Sequence, residues 1–284
     1  MSEADSEEVK RAQTRILEIL RAFDAFCVEN GISYFALGGT LLGAVRHGGF
    51  IPWDDDVDVG VPRCDYDRLL QLAANMPAPF KLEAHELDRA YIYPYAKVYD
   101  TNSIVTEDYI EPFTRGLWID VFPIDGSYES RAMRWAHFKA IKFVNSLTFL
   151  KLRAYQAPDR QRRRAFIKRL VAACSQPLPE VLFRRTTDWL LRRRSPSTSA
   201  VVGNLLGRWG ARELVPREIM FPGTKVKFCD LEIQAPASPD LYLRSIYADY
   251  MKLPPPHLRC SGHHFLRVDL EHSYLKEQID ACTK

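Results

Sequence analysis

WDDDVDVGV, residues 53–61, poses the problem on which the fold turns. Asp54, Asp55, Asp56 and Asp58 crowd negative charge into a stretch that then alternates as Val57, Val59, Val61. Asp is depleted in strands and neighbouring carboxylates repel, so something must offset the cost. Strand geometry sends Asp56 and Asp58 to one side, with Asp54 nearby if the strand begins early. It sends the valines to the other side, into a core. Paired carboxylates stay ionised together when they hold a cation. A hard divalent ion, Mg²⁺ or Mn²⁺, suits them, because such ions are held by one or two carboxylates plus substrate phosphates. The plain alternative is a solvated acidic turn ahead of a strand. An EF-hand is excluded: counted from Asp54, the positions that need Gly and Glu hold Val59 and Asp65.

Other stretches extend this reading. Asp120 in WIDVF is flanked by Ile119 and Val121 in a strand pattern, so a neighbouring strand could supply a third acid for phosphoryl chemistry. Gly38-Gly39-Thr40 follows the apolar run ISYFAL. Two glycines let a backbone approach a ligand closely, and Thr40 is placed to cap a helix whose free N–H groups attract phosphate. No GK[ST] follows, so this is not a Walker loop. Arg46, His47 and Lys97 are cations within reach of substrate phosphates, with Arg46 and Lys97 the preferred contacts. The segment YADYMKLPPPHLRCSGHHF, residues 247–265, carries Arg259 and His264 as further substrate contacts on a proline-stiffened loop. Cys260-x-x-His263 is half of a zinc pattern, without its other half.

The 284 residues suit one large domain, or a domain with a sizeable insertion. The polar, acidic N-terminal stretch lacks the features of a signal peptide. No apolar run is long enough to span a bilayer, and the six scattered cysteines read as reduced thiols, so a cytoplasmic location is expected. The net charge of +3 hides an asymmetry: residues 126–200 hold 17 Lys/Arg against four Asp/Glu. Apolar periodicity predicts helices over 6–29, the LLGAVRH run, residues 65–76, most of 129–194, 239–251 and 267–281. Strands are predicted over 32–37, 56–61, 117–125 and 225–233, and in KLEAHEL, YPYAKVYD and SIVTEDYI. The class is α+β, with residues 1–125 as a core, 126–224 as a mainly helical basic insertion, and 225–284 completing core and site.

ALGGTLLGAVRHGGFIPWDDDVDVGV, LWIDVFPID and YADYMKLPPP together resemble the LicD family, which includes bacterial phosphocholine transferases and, more distantly, fukutin-related proteins. The resemblance covers residues 30–125 and 225–265. It implies a nucleotidyltransferase-like mixed sheet flanked by helices. It assigns nucleotide-phosphate contact to Gly38, Gly39 and Thr40, metal and catalysis to Asp56, Asp58 and Asp120, and a possible metal role to Asp54. It departs at Ala248, where the family commonly has Gly in a YGDY pattern. The implied reaction moves a phospho-alcohol, often phosphocholine, from a CDP-linked donor to a hydroxyl of a glycan or its lipid-linked precursor, releasing CMP.

Two other readings stay open: a nucleotidyltransferase moving NMP to a small alcohol, and a non-catalytic nucleotide- or nucleic-acid-binding module. The clustered acids argue against the module, and no nucleic acid partner is expected. The basic block also suits peripheral contact with an anionic membrane surface at its cytoplasmic face. A choline headgroup would need aromatic rings, for which Trp53, Tyr91, Tyr93, Tyr95 and Trp118 are candidates.

Overall fold

The computed structural model describes residues 3–109, 112–151, 179–259 and 265–277. Helix α1 (Glu3–Glu29) opens the chain, and the three- and four-residue spacing of Ile16, Ile19, Leu20, Phe23 and Cys27 puts those side chains in the core. Strand β1 (Phe35–Ala36), helix α2 (Gly38–His47), strand β2 (Asp58–Pro62) and helix α3 (Arg63–Gln71) follow. Gly48 ends α2 in the left-handed conformation (φ 68°), returning its N–H to Ala44 O. Strands β3 (Phe80–Glu83), β4 (Ala96–Asp100), β5 (Ile104–Glu107), β6 (Phe113–Arg115) and β7 (Trp118–Ser127) complete the first half.

The main sheet runs β1-β2-β7-β4-β3, with β2 and β7 parallel and the other neighbours antiparallel. Every residue of β7 is buried, as expected of a central strand. Its first half pairs with β4 and its second with β8 (Val201–Asn204), which carries β9 (Leu214–Pro216). Pro123 lies between those partners. The Asp120 N–H bonds Val57 O, so alternation aims position 123 at the opposite edge, where the missing N–H meets the break between β4 and β8. Arg63 on α3 clamps β7 through a bidentate pair with the fully buried Asp125, at 2.8 and 2.6 Å.

Helices α4 (Arg131–Lys151) and α5 (Glu180–Leu191) pack on one another. Beyond β9 come α6 (Arg217–Met220), the hairpin β10 (Thr224–Phe228) and β11 (Leu231–Ala235), α7 (Pro239–Tyr247), and β12 (Phe265–Asp269). β12 joins β5 and β6 in a second, three-stranded sheet.

The architecture is α+β, as expected, with local differences. The run 225–233 is not one strand: Cys229 takes a positive φ (56°) and folds it into a hairpin. Part of the helix expected over 267–281 is instead strand β12, because β5 offers a free edge that local periodicity does not reveal. Residues 126–224 are not only helical, since β8 and β9 extend the main sheet. Residue 125 lies inside β7, so the boundary drawn there crosses a continuous strand.

Candidate active site

The acids come together through sheet register. Asp58 and Asp120 are parallel neighbours on β2 and β7, so both side chains rise from the same face of adjacent strands. Val57, Val59 and Val61 are fully buried on the other face. Register extends the row: Asp120 is opposite Lys97 on β4, and Lys97 is opposite Glu83 on β3. Four adjoining strands thus carry Asp58, Asp120, Lys97 and Glu83 in line.

Asp58 and Asp120 reach the floor of a cleft of about 1020 Å³. Gly38, Gly39, Asp54 and Asp56 also line it, with Arg46 on the same wall. The lining is completed by Asn204, Leu206, Gly207, Arg208, Trp209 and Glu213, and by Tyr247, Asp249, Tyr250 and Lys252. Burial, then the charges of Asp56, Asp120, Asp54 and Glu213, push the Asp58 carboxyl well above the usual carboxylate range.

The glycine pair makes room for these acids. A Cβ on Gly39 would lie 2.7 Å from Asp54 Oδ2, and one on Gly38 would lie 3.3 Å from Asp58 Oδ2. Gly38 also adopts a positive φ (46°). The turn therefore closes directly over the carboxylates.

Thr40 differs from its expected role. It sits inside the first turn of α2, is buried, and its hydroxyl accepts the Asp58 N–H at 2.7 Å. It fastens the glycine turn to the start of β2 and does not cap α2, whose N-cap position is Leu37.

Lys97 also departs from expectation. It is 2% exposed and absent from the cleft lining. Its ammonium lies 2.9 Å from Asp120 Oδ1 and over the rings of Trp118 and Tyr93, at 3.9 and 4.3 Å. It lies on the same sheet face as Asp120, but those rings cover it, so it holds Asp120 and is not set to meet a phosphate.

Arg46 does line the cleft, donating to Tyr250 O at 2.8 Å and to His47 Nε2 at 3.0 Å. Arg259 lies outside the cleft lining, donates to Pro254 O at 2.9 Å, and sits 5.6 Å from the centre of the Trp53 ring. His264, with Cys260 and His263, lies outside the described residues. Of the aromatic candidates, Trp53 and Tyr95 line the cleft, whereas Tyr91, Tyr93 and Trp118 do not.

Among the described residues, no three acidic, His or Cys side chains converge closely enough to enclose a metal ion by themselves. The donor set still fits a hard divalent cation of the substrate-completed kind. All the acids are oxygen donors, two stand side by side, and their charges add to burial in raising Asp58. Such ions take one or two carboxylates and fill their remaining positions with phosphate and water.

Residues 31–155 match the family described as LicD/FKTN/FKRP, nucleotidyltransferase domain. That similarity spans the glycine turn and both acidic strands. Over 252 residues the chain is 26% identical to the lipopolysaccharide cholinephosphotransferase LicD of Haemophilus influenzae, covering 87% of this chain and 92% of that protein. A stretch of 31 residues is 61% identical to ribitol 5-phosphate transferase FKRP of Mus musculus and of Homo sapiens, spanning 11% of this chain and 6% of those proteins.

Residues 31–155 do not build the cleft alone, and the wall contributed by residues 204–213 is not marked by any pattern in the sequence. Its main feature is Glu213, 4% exposed, whose Oε1 accepts the Trp209 N–H at 2.8 Å. A Cβ on Gly207 would lie 2.0 Å from both Glu213 carboxylate oxygens, so a larger residue there would have to displace the carboxylate. Burial pushes the Glu213 carboxyl up to about 7, against the opposing effects of the Trp209 N–H, Lys142 and Asn204. GRWGARE gives no sign of this by composition. Its one local hint is a glycine pair three residues apart around a tryptophan, a turn signal. Tyr247 and Tyr250, by contrast, fall in the YADY stretch already singled out. Its Ala248 takes a positive φ (56°), the position where the family commonly has Gly.

Proposed function

We propose that this protein is a metal-dependent transferase. It moves a phospho-alcohol, with phosphocholine the leading candidate, from a CDP-linked donor to a hydroxyl of a glycan or its lipid-linked precursor, releasing CMP. The observation that carries the proposal is the side-by-side placement of Asp58 and Asp120 on the floor of a large cleft, beneath the Gly38-Gly39 turn. The similarity to a choline phosphotransferase over most of both chains supports the reaction class.

Asp58 and Asp120, with Asp56 and Asp54 beside them, would hold Mg²⁺ or Mn²⁺. When bound, the metal neutralises phosphate oxygens and aligns attacker with leaving group. The residues of the chain supply the rest. Lys97 holds one oxygen of Asp120 and so fixes which way the carboxylate faces. Arg46, Lys142, Arg208 and Lys252 line the cleft as cations able to meet a diphosphate. Glu213, in the cleft lining and poised near neutrality, suits removal of the proton from the attacking hydroxyl. Trp53, Tyr95, Trp209 and Tyr247 surround the acidic floor with aromatic faces, which favours a cationic alcohol over a neutral polyol. A lipid-linked acceptor would bring the protein to an anionic membrane surface from the cytoplasmic side.

Product analysis with CDP-choline, Mg²⁺ and a glycan acceptor tests the proposal. CMP together with a phosphocholine-modified acceptor is expected. Pyrophosphate release from a nucleoside triphosphate would favour the nucleotidyltransferase reading, and no turnover of either donor would overturn both.

A further inference from the structure

The outer faces of α4 and α5 carry a pattern that the cleft does not use. On α4, Trp135, Lys139 and Phe143 recur at four-residue spacing and so form one stripe. Trp135 and Phe143 are each 60% exposed. On α5, Leu182, Arg185, Trp189 and Arg193 recur at three- and four-residue spacing, running just past the helix end. Trp189 is 56% exposed and Leu182 44%. The opposite faces are buried, through His137 and Ile141 on α4 and Phe183, Thr187 and Leu191 on α5. Each helix therefore turns indole, aliphatic and cationic groups outward together.

The cations are not scattered at random around those rings. Lys139 Nζ lies 5.6 Å from the centre of the Trp135 ring, and the Arg193 guanidinium lies 5.0 Å from that of Trp189. Large exposed apolar side chains are costly in water and mark an interaction surface when clustered. Here α4 and residues 180–194 hold ten Lys/Arg against Glu180 and Asp188, and those two acids are paired with Arg184 and Arg192. Indole at the boundary of water and hydrocarbon, with Lys/Arg beside it, is the chemistry of an interfacial helix on anionic lipid.

We propose that α4 and α5 form a peripheral docking surface for an anionic lipid bilayer, with Trp135, Phe143 and Trp189 entering the headgroup region and Lys139, Arg185 and Arg193 meeting lipid phosphates. Among the described residues no helix is long and apolar enough to cross a membrane, so the attachment is to one leaflet. The surface is distinct from the cleft, since none of these six residues lines it. The inference stands whether or not the transferase reading does.

The test is flotation of the full chain with phosphatidylserine-containing vesicles at physiological ionic strength, set against phosphatidylcholine vesicles. Co-flotation with the anionic vesicles alone is expected. Neutralising three charges in K139Q/R185Q/R193Q should lower partitioning about a hundredfold, at about 1 kcal/mol per basic residue. Vesicles with bromine in their acyl chains should quench the wild-type fluorescence, and W135F/W189F, which keeps aromatic bulk and fold, should lose most of that quenching. Failure of the wild type to float, equal flotation on neutral lipid, or unchanged flotation of the charge variant would each overturn the proposal. So would loss of a dimer in the charge variant on analytical centrifugation, which would make a second copy the occupant of this face. Turnover of a soluble donor without vesicles should be the same in all three proteins, so failure here is separable from failure of the transferase reading.

Discussion

Replacing Glu213 by Gln separates a cost in stability from a gain in function. The carboxyl is 4% exposed, and Gly207 is packed so closely that water cannot approach from that side. Its titration point rises from 4.5 to about 7 on folding. Between those values the folded protein binds a proton that the unfolded chain releases, so stability falls as pH rises through the window and the full penalty is present above about 7. The difference corresponds to about 3 kcal/mol. Gln keeps the Oε1 acceptor for the Trp209 N–H and removes the charge. In E213Q the wild-type loss should therefore be absent: the two proteins should match near pH 4.5, and the variant should be more stable by about 3 kcal/mol at pH 8. In a chain of this size that is roughly 5–10 °C in Tm. Urea unfolding of both proteins with chelator, at several pH values, measures the difference directly, and pH effects of unrelated groups cancel. Donor turnover should fall in the same variant if Glu213 takes the acceptor proton. A stability difference that does not change with pH, or a variant less stable at pH 8, would refute the account of the burial.

Three further outcomes are expected. Asp58→Asn should abolish transfer while raising metal-free thermal stability, because one member of a mutually repelling group becomes neutral. Donor turnover and melting with chelator check the two halves. Arg63→Met should cost about 3–5 kcal/mol by leaving Asp125 buried without its partner. Denaturant unfolding measures it, and the further variant Arg63→Met with Asp125→Asn should recover part of the loss. Ala248→Gly should stabilise by about 1 kcal/mol, since φ of 56° is strained for alanine and open to glycine, after the entropy of the glycine is subtracted. Unchanged melting of that variant would show that the strain is absorbed elsewhere.

Local pattern was enough to find both acidic strands, the glycine turn and the helix after it, because period-two and period-3.6 alternation and turn residues act within a few positions. WDDDVDVGV already implied valines inward and carboxylates outward, and WIDVF marked the second strand. The match to a known family rests on those same contiguous motifs. Pattern also placed YADY beside the site, though not the conformation that makes its alanine unusual.

What alternation could not supply was register and the wall from residues 204–213. Whether Asp120 stands opposite Asp58 depends on how two strands some sixty residues apart align, and only the pairing of β2 with β7 decided it. The same register took Lys97 out of solvent and set it against Asp120, while Thr40 was spent on tying the glycine turn to β2. Glu213 is the clearest case: a glutamate in GRWGARE reads as a surface charge until β8 and β9 join the sheet and press Gly207 against it. Burial is a property of the assembled neighbours, and so the titration of that carboxylate belongs to the tertiary structure alone.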